Sequence, residues 1–485
     1  MAALAEETLD PADWSEAARV AHLAVDQAVD YLQGLRERPV WQEMPPELRA
    51  RFDEPLPQDP QPLDTVLQRV VSDLFPFPLG NGHPRFWGWY MGAGNMTGAL
   101  ADFLAAVQGS NLAGGAQAAV LVDQQVVRWC KELVGFPAAA SGTLTSGGSL
   151  ANLIALTVAR NVKGEGDVRE AGVAAMKRPL RFYGSDQIHS CHRKAVETLG
   201  LGNSALRRIP SEADFRISLP ALRAAIAEDR EAGLQPACLI ANAGSVNTGA
   251  IDDLGGLAAL AVQEDLWLHV DGCIGALIAA APRHSHLVAE MAQADSLALD
   301  PHKWLHAPFD VGCCLIRDAS AHRAAFASLP EYLDPAPRGV ASGEWLFELD
   351  LQMSRSFRAL KVWMALQEQG AAKFGRLIDQ NIEQARHLTW LVEASPHLRL
   401  MAPTTINIVC FRFEAEGLDE VALKTLNREI MLQLQERGTA VLSDTTLRGR
   451  HCLRAAICNH RTRQADLDLL AEEVVRLGTA LVHRG

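Results

Sequence analysis

Lys303 stands in Leu297-Ala-Leu-Asp-Pro-His-Lys-Trp304, where an apolar run ends and a turn begins. An amine there leaves a buried strand end for a loop. Burial disfavours its charged form, so it could act as a nucleophile near neutral pH and hold an aldehyde as a Schiff base. The ordinary alternative is a lysine with a packed stem and a solvated head. Three further features bear on that choice. Leu266-Trp-Leu-His-Val-Asp271 is a strand-like run that ends in a carboxylate. Ser141-Gly-Thr-Leu-Thr-Ser-Gly-Gly-Ser149 is a glycine-rich turn leading into a helix at Leu150. Free N–H groups and the positive end of the helix dipole receive an anion at such a place. Ser149 is expected to cap that helix and to offer its hydroxyl. Finally, Ile188-His-Ser-Cys-His-Arg-Lys-Ala puts the flat imidazole of His189 at another helix start.

Taken singly, these are a strand-end acid, an N-cap and a helix-end histidine. The turn matches neither a P-loop nor GxGxxG, so a nucleotide is not the favoured anion. Taken together they meet the needs of pyridoxal phosphate. Lys303 takes the aldehyde, and Asp271 keeps the pyridine nitrogen protonated so that the ring draws electrons. Gly147-Gly148-Ser149 suits the phosphate, and His189 offers a plane for the ring.

The elements that must position these groups alternate between strand and helix from Arg181 onward. Strands are expected over 181–185, 237–242, 267–271, 296–300 and 312–316, with helices between, such as 254–262. This pattern implies an α/β fold with an open, mostly parallel sheet covered on both faces. Ligands on such sheets sit beyond the strand carboxyl ends, where Ser245, Asp271 and Lys303 fall. Upstream, helix-period runs are expected over 13–38, 63–74, 99–107 and 120–133, and a proline-rich stretch separates the first two. That arm has little core of its own and needs a partner surface. Phe357 to Gln369 is expected to begin a long helix into a small α/β unit, with strands at 406–413 and 453–457 and helices at 421–437 and 465–477. The expected division is an arm over 1–85, a large domain over 86–355 and a small domain over 356–485.

Composition bounds the rest. The 485 residues are 48% hydrophobic and 21% charged, ordinary for a soluble globular chain. A net charge of −13 with no basic run argues against a nucleic-acid surface. No stretch reaches the ~18 apolar residues of a membrane span, and the acidic start lacks a secretory apolar region. Nine scattered cysteines with no CxxC pair point to reduced thiols in a cytoplasm, and no metal site is expected.

The chain resembles the group II pyridoxal-phosphate-dependent decarboxylases, the family of aromatic-L-amino-acid decarboxylase, from about Gly82 to the C-terminus. The resemblance rests on Asp186-Gln-Ile-His189, Leu266-Trp-Leu-His-Val-Asp271, Asp300-Pro-His-Lys-Trp304 and Arg355-Ser-Phe-Arg-Ala-Leu-Lys361. It implies the fold type I architecture, a homodimer and a lyase that releases carbon dioxide. It further implies that Lys303 is the Schiff-base lysine, Asp271 faces the pyridine nitrogen and His189 stacks on the ring. Gly148 and Ser149 would hold the phosphate with help from Asp300 and His302, and Ser245 and Cys273 would join the cofactor contacts. Tyr332, in a Pro/Gly-rich loop over 331–344, would return a proton to the substrate Cα.

The chain departs from the aromatic decarboxylases at two places. Ser245-Val246-Asn247-Thr248 replaces a threonine-rich turn, which leaves the contact open between Ser245 and its neighbours. Asn111 and Ala113 stand where the aromatic enzymes are bulky and apolar, which suggests a roomier or more polar pocket. Trp89, Tyr90 and Phe309 still favour an aromatic substrate. An acidic one would want an arginine, for which Arg85 is the obvious candidate in that loop. The other readings are a decarboxylase of acidic or polar amino acids, an aldehyde-forming or aminotransferase-like enzyme on the same cofactor, and a non-catalytic scaffold.

Overall fold

A computed structural model describes residues 7–328 and 336–483. Its centre is a seven-stranded sheet. The strands are β1 (Ser141–Thr145), β2 (Leu180–Ser185), β3 (Leu206–Ile209), β4 (Gln235–Asn242), β5 (Trp267–Asp271), β6 (Ser296–Leu299) and β7 (Gly312–Ile316). They lie in the order β1-β7-β6-β5-β4-β2-β3. Pairings from β6 through β5, β4 and β2 to β3 are parallel, and β7 runs antiparallel to both β6 and β1. Adjacent residues on a strand face opposite sides. On β4, Cys238 and Ile240 pack with the helix Gly148–Lys163, while Leu239 and Ala241 pack with the helices Leu219–Glu231 and Leu254–Gln263. Cys313 and Cys314 of β7 divide the same way.

A smaller antiparallel sheet, β10-β11-β9-β8, holds β8 (Leu398–Leu400), β9 (Ile408–Phe413), β10 (Ser443–Leu447) and β11 (Arg450–Ala456). The helices Glu420–Glu436 and Gln464–Val482 pack against it. The expected long helix is two: Ala359–Gln369 ends at Gly370, whose φ of +71° suits glycine, and Ala371–Ala394 follows.

The glycine-rich segment also differs from expectation. Ser141–Thr145 is a strand, paired with β7 in register from Ser141↔Ile316 to Thr145↔Gly312. Only Ser146 and Gly147 form the turn. The aromatic stretch near residue 87 joins the two sheets. Trp87 is fully buried in the core of the small unit, with its indole N–H donated to Thr462. Tyr90, three residues on, belongs to the core of the large sheet.

Candidate active site

Beyond the carboxyl ends of β4, β5 and β6 lies a cavity of about 540 Å³. Every site residue singled out above lines it except Ser245, which does not, and Tyr332, which lies outside the described residues. Asn111, Ala113 and Arg85 are not part of its lining.

Lys303 sits in a single helical turn, Pro301–Trp304, which Pro301 opens directly after β6. Its Nζ lies 2.9 Å from Asp300 Oδ2. Burial pushes the amine's pKa down, but Asp300 and, more weakly, Asp271 outweigh it and hold the amine above the usual lysine range. The lowering expected from burial is therefore corrected in direction: the neighbouring acid outweighs it. Asp300 Oδ1 is buried without a hydrogen-bond partner among the described residues. A buried polar atom in that state calls for a donor.

Asp271 ends β5 and is the centre of a network. Its Oδ2 accepts from His192 Nε2 at 2.9 Å and Asn152 Nδ2 at 3.3 Å, and its Oδ1 from the N–H of Cys273 at 3.2 Å. Asn152 is oriented in turn by His269, whose Nε2 stands 2.7 Å from its Oδ1 and whose Nδ1 stands 2.9 Å from Ser296 Oγ. Burial alone would raise the Asp271 carboxyl. The hydrogen bonds from His192 and Cys273 hold it well below the carboxylate range. A carboxylate accepts about four hydrogen bonds, so one site remains for a donor from the cavity.

Asn152, His192 and His269 escaped the sequence reading. Local spacing offered a signal: Asn152 lies one helical turn after Gly148, and His269 shares a strand face with Asp271. Nothing local, however, says that they converge.

His189 precedes the helix Cys191–Thr198, and its exposed ring lines the cavity. Its Nδ1 accepts the N–H of Cys191 at 3.1 Å, which puts any ring proton on Nε2. Burial lowers its pKa, opposed only in part by Asp271. His302 is lowered by burial too, and its Nδ1 accepts the N–H of Val311 at 3.2 Å.

The helix at the cavity starts at Gly148 with Gly147 as its cap residue. Ser149 is therefore inside the first turn and does not cap it. The first N–H groups of a helix have no partner within it, and here they open into the cavity. The glycines are required by close approach. A Cβ on Gly147 would stand 3.1 Å from His302 Cε1, and one on Gly148 would stand 2.7 Å from Asp300 Oδ2 and closer still to Cys273 Sγ. Gly148→Ala should therefore cost about 1–3 kcal/mol by overpacking. Adding Cys273→Ala should recover part of that, so a double-mutant cycle by urea unfolding should be non-additive. Simple additivity would mean that the two positions do not press on each other.

Ser245 is turned to another task. Its hydroxyl stands 3.0 Å from Thr248 Oγ1 and accepts the N–H of Ala250 at 3.2 Å, closing its own turn. Gly244, Val246 and Asn247 form that stretch of wall instead. Trp89 and Phe309 are half-exposed at the cavity, and the Tyr90 ring lies 5.9 Å from Lys303 Nζ. Behind them Arg454 donates to the carbonyls of Trp89, Val246 and Asn247. Arg85 donates to the carbonyl of Thr439 at 2.8 Å, away from the cavity. Asn111 accepts main-chain N–H bonds from Ala113 and Arg355.

An orphaned carboxylate oxygen beside an amine, an acid with one acceptor site left, an exposed imidazole plane and a side-chain-free helix start form one cavity. That donor set fits a planar, phosphorylated aldehyde with a basic ring nitrogen.

Comparison with known proteins gives matching results. The sequence pattern described as the pyridoxal-dependent decarboxylase conserved domain matches residues 45–414. An aromatic-L-amino-acid decarboxylase of Bacillus atrophaeus is 35% identical over 473 residues, covering 95% of this chain and 96% of that one. A phenylacetaldehyde synthase of Petunia hybrida is 28% identical, covering 96% and 94%. Among solved structures, Oryza sativa TDC with PLP and tryptamine superposes with a TM-score of 0.90, covering 98% of this chain and 100% of that one. At 24% identity that likeness speaks to the fold.

Proposed function

The chain belongs to the pyridoxal-dependent decarboxylase family, and from that premise we propose that it converts an aromatic L-amino acid to the amine and carbon dioxide. The observation that carries the aromatic reading is the wall. Trp89, Tyr90 and Phe309 give it aromatic surface. Among the described residues lining it, no arginine or lysine is free for a side-chain carboxylate, because Arg454 is held by carbonyls and Lys303 by Asp300. The relative named as an aromatic-L-amino-acid decarboxylase supports the same choice.

Pyridoxal phosphate supplies a carbonyl that bonds to an amine and a protonated ring that accepts the electron pair left by carbon dioxide. The chain's residues do the rest. Gly148 and Ser149 bind the phosphate through the helix start, with His302 beside them. His189 presents its face to the ring, and Asp271 holds the proton on the ring nitrogen. Cys273 supports Asp271 through its N–H. Lys303 gives up its proton to become a nucleophile, and Asp300 is the base within reach. Trp89, Tyr90 and Phe309 exclude water from the substrate side chain.

Tyr332 delivers the proton to the substrate Cα in this reading, a role that rests on the family resemblance. Tyr332→Phe should then lower amine formation about 100-fold and raise aldehyde as a by-product, read by product analysis. Full-rate amine formation by the variant would remove Tyr332 from that role.

The same reading includes a homodimer, in which the 1–85 arm and the helix Met96–Gln108 meet a second copy. Exposed Trp14, Leu63, Phe103 and Val107 support it, and light scattering would weigh the particle. The large domain over 86–355 and the small one over 356–485 form the body of each protomer. No helix among the described residues is long and apolar enough to cross a membrane. Nine free, buried cysteines support a cytoplasmic setting.

The decisive experiment offers the purified enzyme tryptophan, tyrosine and phenylalanine against glutamate and aspartate and identifies the products. Amines from the aromatic set are expected. Preferred turnover of glutamate, or aldehyde as the main product, would overturn the proposal.

A further inference from the structure

His192 is fully buried, yet it touches neither solvent nor the cavity. Its Nε2 lies 2.9 Å from Asp271 Oδ2, while its Nδ1 has no hydrogen-bond partner among the described residues. Its ring stands edge-on to His269 with centroids 6.0 Å apart. A buried histidine with one nitrogen orphaned needs a reason. An unmade bond at depth costs more than a made one returns, and an apolar side chain of similar volume would avoid that cost. The one bond His192 does make is to the carboxylate that ends β5.

We propose that His192 is a positioning residue: it donates Nε2–H to Asp271 and fixes the carboxylate so that its remaining acceptor site faces the ring nitrogen of pyridoxal phosphate. The inference rests on the cofactor reading above and deepens it. The geometry explains the orphaned Nδ1. Donation from Nε2 puts the ring's one proton there and leaves Nδ1 as a bare acceptor, so no N–H of the ring is buried without an acceptor. Asp271 then keeps its full negative charge next to the ring. Asn152 and the N–H of Cys273 hold the same carboxylate at 3.3 and 3.2 Å, so the His192 bond is the shortest of the three. Without it, Oδ2 is held from one side only, and the carboxylate is free to rotate or to take up a proton.

The test compares wild-type holoenzyme with His192→Phe and His192→Leu, which lack a donor, and with His192→Gln, whose amide N–H reaches the place of Nε2. Each is diluted into cofactor-free buffer and the loss of the bound chromophore is timed. Then kcat and KM are measured with the best aromatic substrate. The donor-free variants should release the cofactor about 10- to 100-fold faster and lose kcat by a similar factor, with KM changed about twofold at most. His192→Gln should recover most of both effects. The proposal is overturned if the donor-free variants release the cofactor at the wild-type rate, even with a lowered thermal midpoint. It is also overturned if His192→Gln is as impaired as they are. A wild type that holds no pyridoxal phosphate would instead overturn the functional reading and this inference with it.

Discussion

Lys303→Ala is expected to lose at least about 10⁴-fold in turnover, because it removes the nucleophile itself. No other primary amine lines the cavity among the described residues, and the guanidinium of Arg454 is held by three carbonyls. Borohydride treatment of the wild type should leave the cofactor bonded to the peptide that carries Lys303, and the variant should carry no such label. Cofactor binding should fall far less than turnover, since the helix start and Asp271 are untouched. The variant also strips Asp300 of its partner at 2.9 Å. A buried carboxylate without a partner is destabilising, so thermal unfolding must accompany the assay to separate lost chemistry from lost structure. A label on any other peptide, or turnover within tenfold of wild type, would remove Lys303 from its assigned role.

The second large effect is at Asp271. Asp271→Asn should lower kcat about 10³-fold while the protein still folds. Asparagine is nearly isosteric, but it is neutral and cannot hold a proton on a ring nitrogen. It also sets an NH₂ group among donors, because His192, Asn152 and the N–H of Cys273 all aim N–H bonds at this side chain. Hydrogen bonding from His192 and Cys273 holds the carboxylate below its usual range against the pull of burial. Asp271→Glu keeps the charge and lengthens the arm, so it should lose less than the asparagine variant. If Asp271→Asn turns over within tenfold of wild type, the ring nitrogen does not depend on this acid.

What the sequence made legible follows from how each element earns its stability. The strands β4, β5 and β6 are buried on both faces and read as near-continuous apolar runs, so their ends, and with them Asp271 and Lys303, could be placed. By contrast, β1 and β3 lie at the sheet edges, and Ser-Gly-Thr-Leu-Thr has no apolar period to betray a strand. The site divided along similar lines. Residues at strand ends and helix starts stand out by local pattern and line one cavity, and the fold and family expectations agree with the comparisons. The shift at Lys303 runs opposite to the one expected because burial is visible in a sequence, whereas the approach of Asp300 Oδ2 is not. Ser245 does not line the cavity because its hydroxyl closes its own turn with Thr248, as Ser and Thr side chains can. His192 and Asn152 belong to two different helices, and only helix-on-sheet packing brings them to one carboxylate.

Arg454 has a bearing on how this enzyme could diversify. It grips three peptide oxygens and so fastens two distant loops to β11 through their main chain. The loops that carry the specificity wall are thus held through their main chain, by a residue that itself lines the cavity. Mutation can retile that surface for a ring of different size or polarity while the mortar behind it, and the acid and amine opposite, stay as they are.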